Sequence, residues 1–305
     1  MAKKNTLIVI AGPTAIGKTS LAITLARHFS TEIISADSRQ FFREMSIGTA
    51  KPSPAELAAA KHHFIDSHSI NTFFSTGDFE KEALLLLEEL FVTHELVIIA
   101  GGSGLYLDAV TKGLDVLPDT DMAIRSQLNA LFEAEGIEPV KAQLAAADPE
   151  YYAKVDQANP QRMIRGLEFF LSTGKKVSSF LTNSKKERSF NIIKIGLNIE
   201  RPLLYQRIND RVDMMLSAGL LDEVKALEPY RELNALKTVG YAELFSYLDG
   251  AITFEEAVDK IKQNTRRFAK RQLTWFRRDE QIKWFEPHDP PSEILDYLKH
   301  ELNRG

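Results

Sequence analysis

Cysteine is absent from all 305 residues, which excludes disulfides, thiolate zinc sites and cysteine nucleophiles and agrees with a reducing cytoplasm. Long apolar runs are missing too. Behind Lys3 and Lys4 the apolar stretch is only Leu7 to Ala11, too short for a signal peptide or a membrane span, so no membrane partner is expected. Nor is there a strong excess of charge. With 38 Lys and Arg against 42 Asp and Glu the net charge is −4, so nucleic acid would have to be drawn by a local basic patch and not by the overall field. The seven histidines show no metal-ligand grouping, His62-His63 included. No repeat or low-complexity segment interrupts the chain, and 44% hydrophobic residues suffice for a sizeable core of one or two globular domains.

Against these absences stands one complete motif. Gly12-Pro13-Thr14-Ala15-Ile16-Gly17-Lys18-Thr19 is a G-x-x-x-x-G-K-[ST] phosphate loop between an apolar strand-like run and a helix-like segment. Two glycines let successive amides turn toward anionic oxygens, Lys18 adds positive charge, and the Thr19 hydroxyl is suited to Mg²⁺. The helix opening at the loop adds its positive dipole end. Taken alone, the loop reads as a nucleotide site of the ATP-binding type.

Leu7–Ala11, Glu32–Ser35 and Leu96–Ala100 have the character of buried parallel strands, and Ala83–Phe91 reads as a helix buried on most of its surface. Alternating strands and helices predict an α/β fold, a parallel sheet of phosphate-loop NTPase type whose ligands sit beyond the carboxyl ends of the strands. From about Pro118 to 186 the texture becomes helical, with Met122–Ala147 rich in Ala, Leu, Gln and Glu. This predicts a helical insertion at 118–186 within a catalytic core formed by 1–117 and 187–305. Asn191–Leu197 then reads as a returning strand, Arg201–Leu216 as a helix, and the remainder as helices.

Several residues at the predicted sheet edge could carry chemistry. Asp37 follows a strand beside the phosphate site, where it could ligate Mg²⁺ through water, act as a general base or cap a following helix. Leu96–Ala100 lacks the terminal acid with which many nucleotide-hydrolysing relatives hold metal and water, which argues against a motor or switch. Ser103 lies in a tight turn, Gly101 to Tyr106, close to the loop. Arg207 and Arg211 are one helical turn apart, placed to clamp a phosphate or to bridge to Asp210 and Asp213. Between Lys260 and Arg278 eight basic residues and no acid are interleaved with Phe268, Trp275 and Phe276. That pattern suits RNA phosphates and stacked bases, although an amphipathic helix with inward rings and solvated charges has the same composition.

Seven ordered motifs together resemble one family. They are Gly12–Thr19, Ser35-Ala36-Asp37-Ser38-Arg39-Gln40, Ile47-Gly48-Thr49-Ala50-Lys51-Pro52, Gly101-Gly102-Ser103-Gly104-Leu105-Tyr106, Asn159-Pro160-Gln161-Arg162, Val239-Gly240-Tyr241 and Lys270-Arg271-Gln272-Leu273-Thr274-Trp275-Phe276-Arg277. Over nearly its whole length the chain resembles the tRNA dimethylallyltransferases, also called isopentenyl-diphosphate:tRNA transferases. The resemblance implies a prenyltransferase of tRNA modification that moves a dimethylallyl group from dimethylallyl diphosphate to N6 of the adenosine 3′-adjacent to the anticodon. It implies Mg²⁺ as cofactor, tRNA through its anticodon stem-loop as partner, a cytoplasmic monomer, and a flipped target base.

Carried over position by position, Asp37 is the general base, with Ser103 and Lys18 also in the catalytic set. Ser103 stands where the family has threonine. Gly12, Pro13, Thr14, Ala15, Ile16, Gly17, Lys18 and Thr19, with Arg207 and Arg211, bind the diphosphate; Thr19 is the metal ligand. The tRNA contacts are Asp37, Ser38, Arg39, Gln40 and Ser103, Arg125 in the insertion, and Gln161, Arg162, Met163, Ile164 and Arg165. They continue with Thr238, Val239, Gly240, Tyr241, Ala242 and Glu243, and with Lys270, Arg271, Gln272, Leu273, Thr274, Trp275, Phe276 and Arg277. The lack of cysteine and the end at Gly305 set the chain apart from eukaryotic relatives with a zinc-finger extension, so the bacterial form is expected. The rivals are a small-molecule kinase using ATP, with the insertion as lid and Arg162 and Arg165 on the nucleotide, and an RNA-binding NTPase without group transfer.

Overall fold

The first strand is buried from end to end, which only a strand with neighbours on both sides and cover on both faces can be. In the computed structural model, which describes residues 5–182 and 186–304, β1 (Thr6–Ala11) is followed by α1 (Lys18–Phe29), β2 (Ile33–Ser35), α2 (Pro54–Ala59) and β3 (His62–His63). Next come α3 (Thr76–Leu90), β4 (Leu96–Gly101) and α4 (Gly104–Lys112). Helices α5 (Met122–Glu135), α6 (Glu138–Ala147), α7 (Pro149–Lys154) and α8 (Pro160–Thr173) form the helical stretch. β5 (Asn191–Leu197) returns to the sheet, before α9 (Arg201–Ser217), α10 (Leu220–Ala226), α11 (Tyr241–Leu248), α12 (Phe254–Phe276), β6 (Lys283–Phe285) and α13 (Pro291–Leu302).

The six strands form one parallel sheet in the order β3-β2-β4-β1-β5-β6. Alternation along β1 divides the core: Ile8 and Ile10 face α1, α9 and α13, whereas Leu7, Val9 and Ala11 face α3 and α4. Truncating a fully buried Ile8 to alanine would cost about 2–5 kcal/mol. The carboxyl ends of β1, β2 and β4 bring the phosphate loop, Asp37 and Ser103 to one edge.

Two expectations need correction. The tail is not all helix, because β6 adds an edge strand paired through Ile195 to Lys283 and Leu197 to Phe285. Helix α3 starts at Thr76, behind a Ser75–Asp78 capping box, and it is amphipathic: Phe79, Ala83 and Leu87 are buried while Leu85 is 53% exposed. The alanine-rich segment is two helices separated by Gly136 at φ 78°, a backbone that an L side chain adopts with strain.

The chain divides into two compact units, Met1–Lys112 with Glu187–Gly305, and Gly113–Lys186, the second beginning a little before the position 118 read from composition. The second unit has its own core of Leu128, Val140, Leu144, Met163, Ile164 and Leu167, supplied by α5, α6 and α8. No helix of the described residues is long and apolar enough to cross a membrane.

Candidate active site

The phosphate loop leaves β1 at Gly12, whose added Cβ would lie 2.8 Å from the carbonyl oxygen of Leu197, and enters α1 at Gly17, φ 104°. Both positions therefore require glycine, one for closeness and one for backbone conformation. The loop closes on itself through Lys18, whose Nζ donates to the carbonyl of Pro13 at 2.7 Å. It is also tied from outside. The buried side chain of Gln272, on α12, accepts from the Thr14 amide at 2.9 Å and donates to the Gly102 carbonyl at 2.9 Å.

A cavity of about 300 Å³ opens over the loop, lined by Thr14 to Ser20, Asp37, Gln40, Lys51, Arg211 and Phe268 among others. Its electrostatics are cationic. Burial, reinforced by nearby Arg211 and opposed by Asp37, pushes the Lys18 ammonium down from 10.5 to about 7. Burial likewise lowers Arg211, with Asp37 and Glu56 pulling the other way. A cavity that crowds two buried cations together is suited to an anion. Arg207 reaches the Ile16 carbonyl at 3.4 Å and Arg211 the Thr14 hydroxyl at 3.4 Å. Neither forms an ion pair among the described residues, so the alternative of bridges to Asp210 and Asp213 is not realised; Asp213 instead pairs with Lys262.

Asp37 is not a helix cap, because turns and not a helix follow it. Its Oδ1 accepts from the Arg39 amide at 3.0 Å, and the Ser103 hydroxyl accepts from the Ser38 amide at 3.1 Å. Ser103 thus holds the turn that presents Asp37. Next to the cationic cavity, and sharing Thr14, Asp37, Thr49, Ala50, Arg211 and Phe268 with it, lies a second cavity of about 210 Å³. Its wall is largely apolar, with Ile208, Val212, Met215, Leu220, Val239 and Ile261. Asp37 therefore stands where an anion-binding space meets an apolar one.

The Ile47–Pro52 motif lines this junction for a reason that its residue types alone do not reveal. Glu223 on α10 accepts from the amides of Ser46, Ile47 and Gly48 at 2.9, 2.8 and 2.9 Å and from the Tyr241 hydroxyl at 2.6 Å. A Cβ on Gly48 would come within 2.5 Å of the Tyr241 ring. Gln40 secures the same loop by donating to the carbonyls of Thr49 and Ala50 at 3.2 and 3.1 Å. Glu223 and the structural part of Tyr241 were not foreseen; only the glycine inside Ile47–Pro52 hints at a close approach.

The expected RNA contacts sort by exposure. On α12, Lys270, Arg271 and Thr274 are exposed, as is Arg277 just past its end, while Gln272 and Phe276 are buried. Leu273 and Trp275 are half-buried, the indole donating to Asp108 at 2.9 Å. Two of the three interleaved rings therefore serve the protein interior, while Phe268, 40% exposed, lines both cavities. Thr238, Val239 and Ala242 are accessible or half-buried, whereas Gly240, Tyr241 and Glu243 are buried. Within the second unit Gln161 and Arg162 are exposed, Met163 and Ile164 belong to the core, and Arg125 and Arg165 both face the fully buried Glu168 at 3.1 Å.

The sequence matches the IPP transferase family over residues 40–279. The chain belongs to that family. The tRNA dimethylallyltransferase of Christiangramia forsetii is 56% identical over 299 residues, 98% of this chain and 99% of that one. The tRNA dimethylallyltransferase of Flavobacterium johnsoniae is 52% identical, covering 97% and 98%. Among solved structures, the tRNA isopentenylpyrophosphate transferase of Bacillus halodurans is similar with a TM-score of 0.73 at 37% identity, over 99% of this chain and 98% of that one. A eukaryotic dimethylallyltransferase acting on tRNA gives 0.77 at 27% identity, over 93% of this chain and 74% of that one. The IPP transferase likeness thus runs through the core and the inserted helices alike.

Proposed function

We propose that this IPP transferase homologue transfers a dimethylallyl group from dimethylallyl diphosphate to N6 of the adenosine 3′-adjacent to the anticodon of tRNA, releasing diphosphate. The observation that carries this reading is the placement of Asp37 where the cationic cavity meets the apolar one. A diphosphate leaving group belongs among Lys18, the loop amides and Arg211, where its developing negative charge is stabilised as the carbon–oxygen bond breaks. The dimethylallyl carbon is then presented to the amino nitrogen. As the new carbon–nitrogen bond forms, Asp37 accepts the N6 proton, which offsets the poor nucleophilicity of a conjugated amine.

The residues present also fit a magnesium ion. Thr19 offers a hard hydroxyl oxygen in the cavity, and no cluster of three or more His, Cys, Asp or Glu side chains competes for a metal among the described residues. Mg²⁺ held by Thr19 and the substrate's own oxygens would supply charge neutralisation. The protein is a cytoplasmic monomer in this reading. Its exposed α12 cations, Arg39 and the 238–242 segment receive the anticodon stem-loop; the helical unit for its part exposes Gln161 and Arg162 to RNA. The kinase alternative is not favoured, because the family and its relatives are transferases acting on tRNA.

The deciding experiment incubates the protein with dimethylallyl diphosphate and unmodified tRNA. N6-dimethylallyladenosine is expected by mass spectrometry of the digested RNA, and Asp37→Ala should lower turnover on the order of a hundredfold or more while pyrophosphate binding survives. ATP-dependent phosphorylation of a metabolite without prenylated RNA would sink the proposal.

A further inference from the structure

We infer that Phe268 is the platform on which the extruded purine base of the RNA stacks at the reaction centre, an inference that rests on the proposed tRNA prenylation. Three observations carry it. Phe268 is 40% exposed on a helix whose other two rings near the site are spent, Phe276 in the core and Trp275 on Asp108. Moreover, Phe268 lines both cavities, as do Asp37 and Arg211, so a flat base lying on the ring stays within reach of the carboxylate that would take its proton.

The third observation distinguishes a base from the prenyl group as the ring's partner. The Arg271 guanidinium carbon lies 5.8 Å from the Phe268 centroid, over its face. A cation there draws on the negative quadrupole that would otherwise stabilise positive charge developing on an allylic carbon. A neutral purine suffers no such conflict, and aromatic stacking with adjacent arginines is how proteins commonly hold unstacked RNA bases. Arg271, exposed and three residues on from Phe268, shares its helix face.

The test compares Phe268→Leu, which keeps apolar bulk but removes the ring, with Phe268→Tyr, which keeps the ring. Stacking predicts that Phe268→Leu lowers kcat/KM for tRNA by about 10- to 100-fold with the KM for dimethylallyl diphosphate unchanged, and that Phe268→Tyr stays within a few-fold of wild type. In titrations followed by fluorescence, an anticodon stem-loop carrying 2-aminopurine at the target position should bind Phe268→Leu more weakly than wild type and Phe268→Tyr much as wild type. A raised KM for the diphosphate with tRNA kinetics intact would overturn the inference and make Phe268 a wall of the donor pocket. Unchanged kinetics and fluorescence in Phe268→Leu would overturn it as well. If wild-type protein makes no N6-dimethylallyladenosine, the proposed activity fails, and that outcome is read separately from any effect at Phe268.

Discussion

Arginines of the two compact units have opposite surroundings. In the helical unit, Arg125 and Arg165 converge on Glu168, whose side chain is fully buried and which also accepts from Thr120 at 2.6 Å. Their charge is consumed in neutralising that carboxylate. In the sheet unit, Arg211 lines the cationic cavity and meets only the neutral Thr14 hydroxyl, so its charge is left over for a ligand, whereas Arg207, on the Ile16 carbonyl and His288, lines neither cavity. Residue type and helical spacing do not separate the two cases. The nearest carboxylate does: a guanidinium already paired in the interior is architecture, and one held near an anion cradle without a partner is binding capacity.

The strongest challenge to this contrast is removal of the uncompensated charge. Arg211→Gln should cost on the order of a hundredfold in kcat/KM for dimethylallyl diphosphate, the scale of losing one donor to a developing anion, with little change in melting temperature. An equal loss of stability would show that Arg211 is structural after all. The mirror experiment is Glu168→Gln, which leaves two arginines facing a neutral amide. It should destabilise the helical unit by about 3 kcal/mol, near the low end for breaking a buried pair because Arg165 is 43% exposed, and this is checked by denaturant unfolding.

A finer test uses pH. Lys18 holds its proton only up to about pH 7 in the ligand-free protein against 10.5 when unfolded, so the unfolded chain binds more protons between these values and the stability of the free protein should rise with pH across that window. Pyrophosphate favours the charged ammonium, so its affinity should fall above pH 7, by at most tenfold per unit, with proton uptake visible by calorimetry in buffers of different ionisation enthalpy. Flat affinity from pH 7 to 9 would remove Lys18 from the anion site. The smallest effect is expected at the rim. Charge reversal of Lys270 should raise the KM for tRNA and reduce the salt slope by about one, as for loss of a single phosphate contact.

What could be read from the sequence was local. The phosphate loop is contiguous, and β1 and β4 announce themselves as unbroken apolar runs because a central parallel strand is buried on both faces, while β5 is legible as a mostly apolar run despite Lys194, which pairs with Asp279. β6 escaped because three residues at a sheet edge, Lys283 exposed among them, carry no such pattern. The ties that shape the site were illegible for a different reason. Gln272 meets Thr14 across 258 residues and Glu223 meets Gly48 across 175, and nothing in either neighbourhood encodes the meeting. The basic run on α12 was visible as composition, but which of its rings turn inward depends on Asp108 and on the core beside β4, far away in sequence.

Arg188 bears on how such a chain assembles. It donates to the carbonyls of Ala109 at 2.7 Å and Val110 at 2.9 Å, near the end of α4, and to Glu80 at 2.9 Å, so the chain is clasped where it leaves the sheet unit and where it comes back. Pairing of β1 with β4 requires only the first part of the polypeptide, whereas pairing of β1 with β5 must close a loop containing the whole of Gly113–Lys186. Loop closure grows costlier only logarithmically with length, and a detour whose two ends are pinned together adds still less to the search. The sheet can therefore host an excursion of dozens of residues at that one junction without disturbing the pairing of β1 with its neighbours.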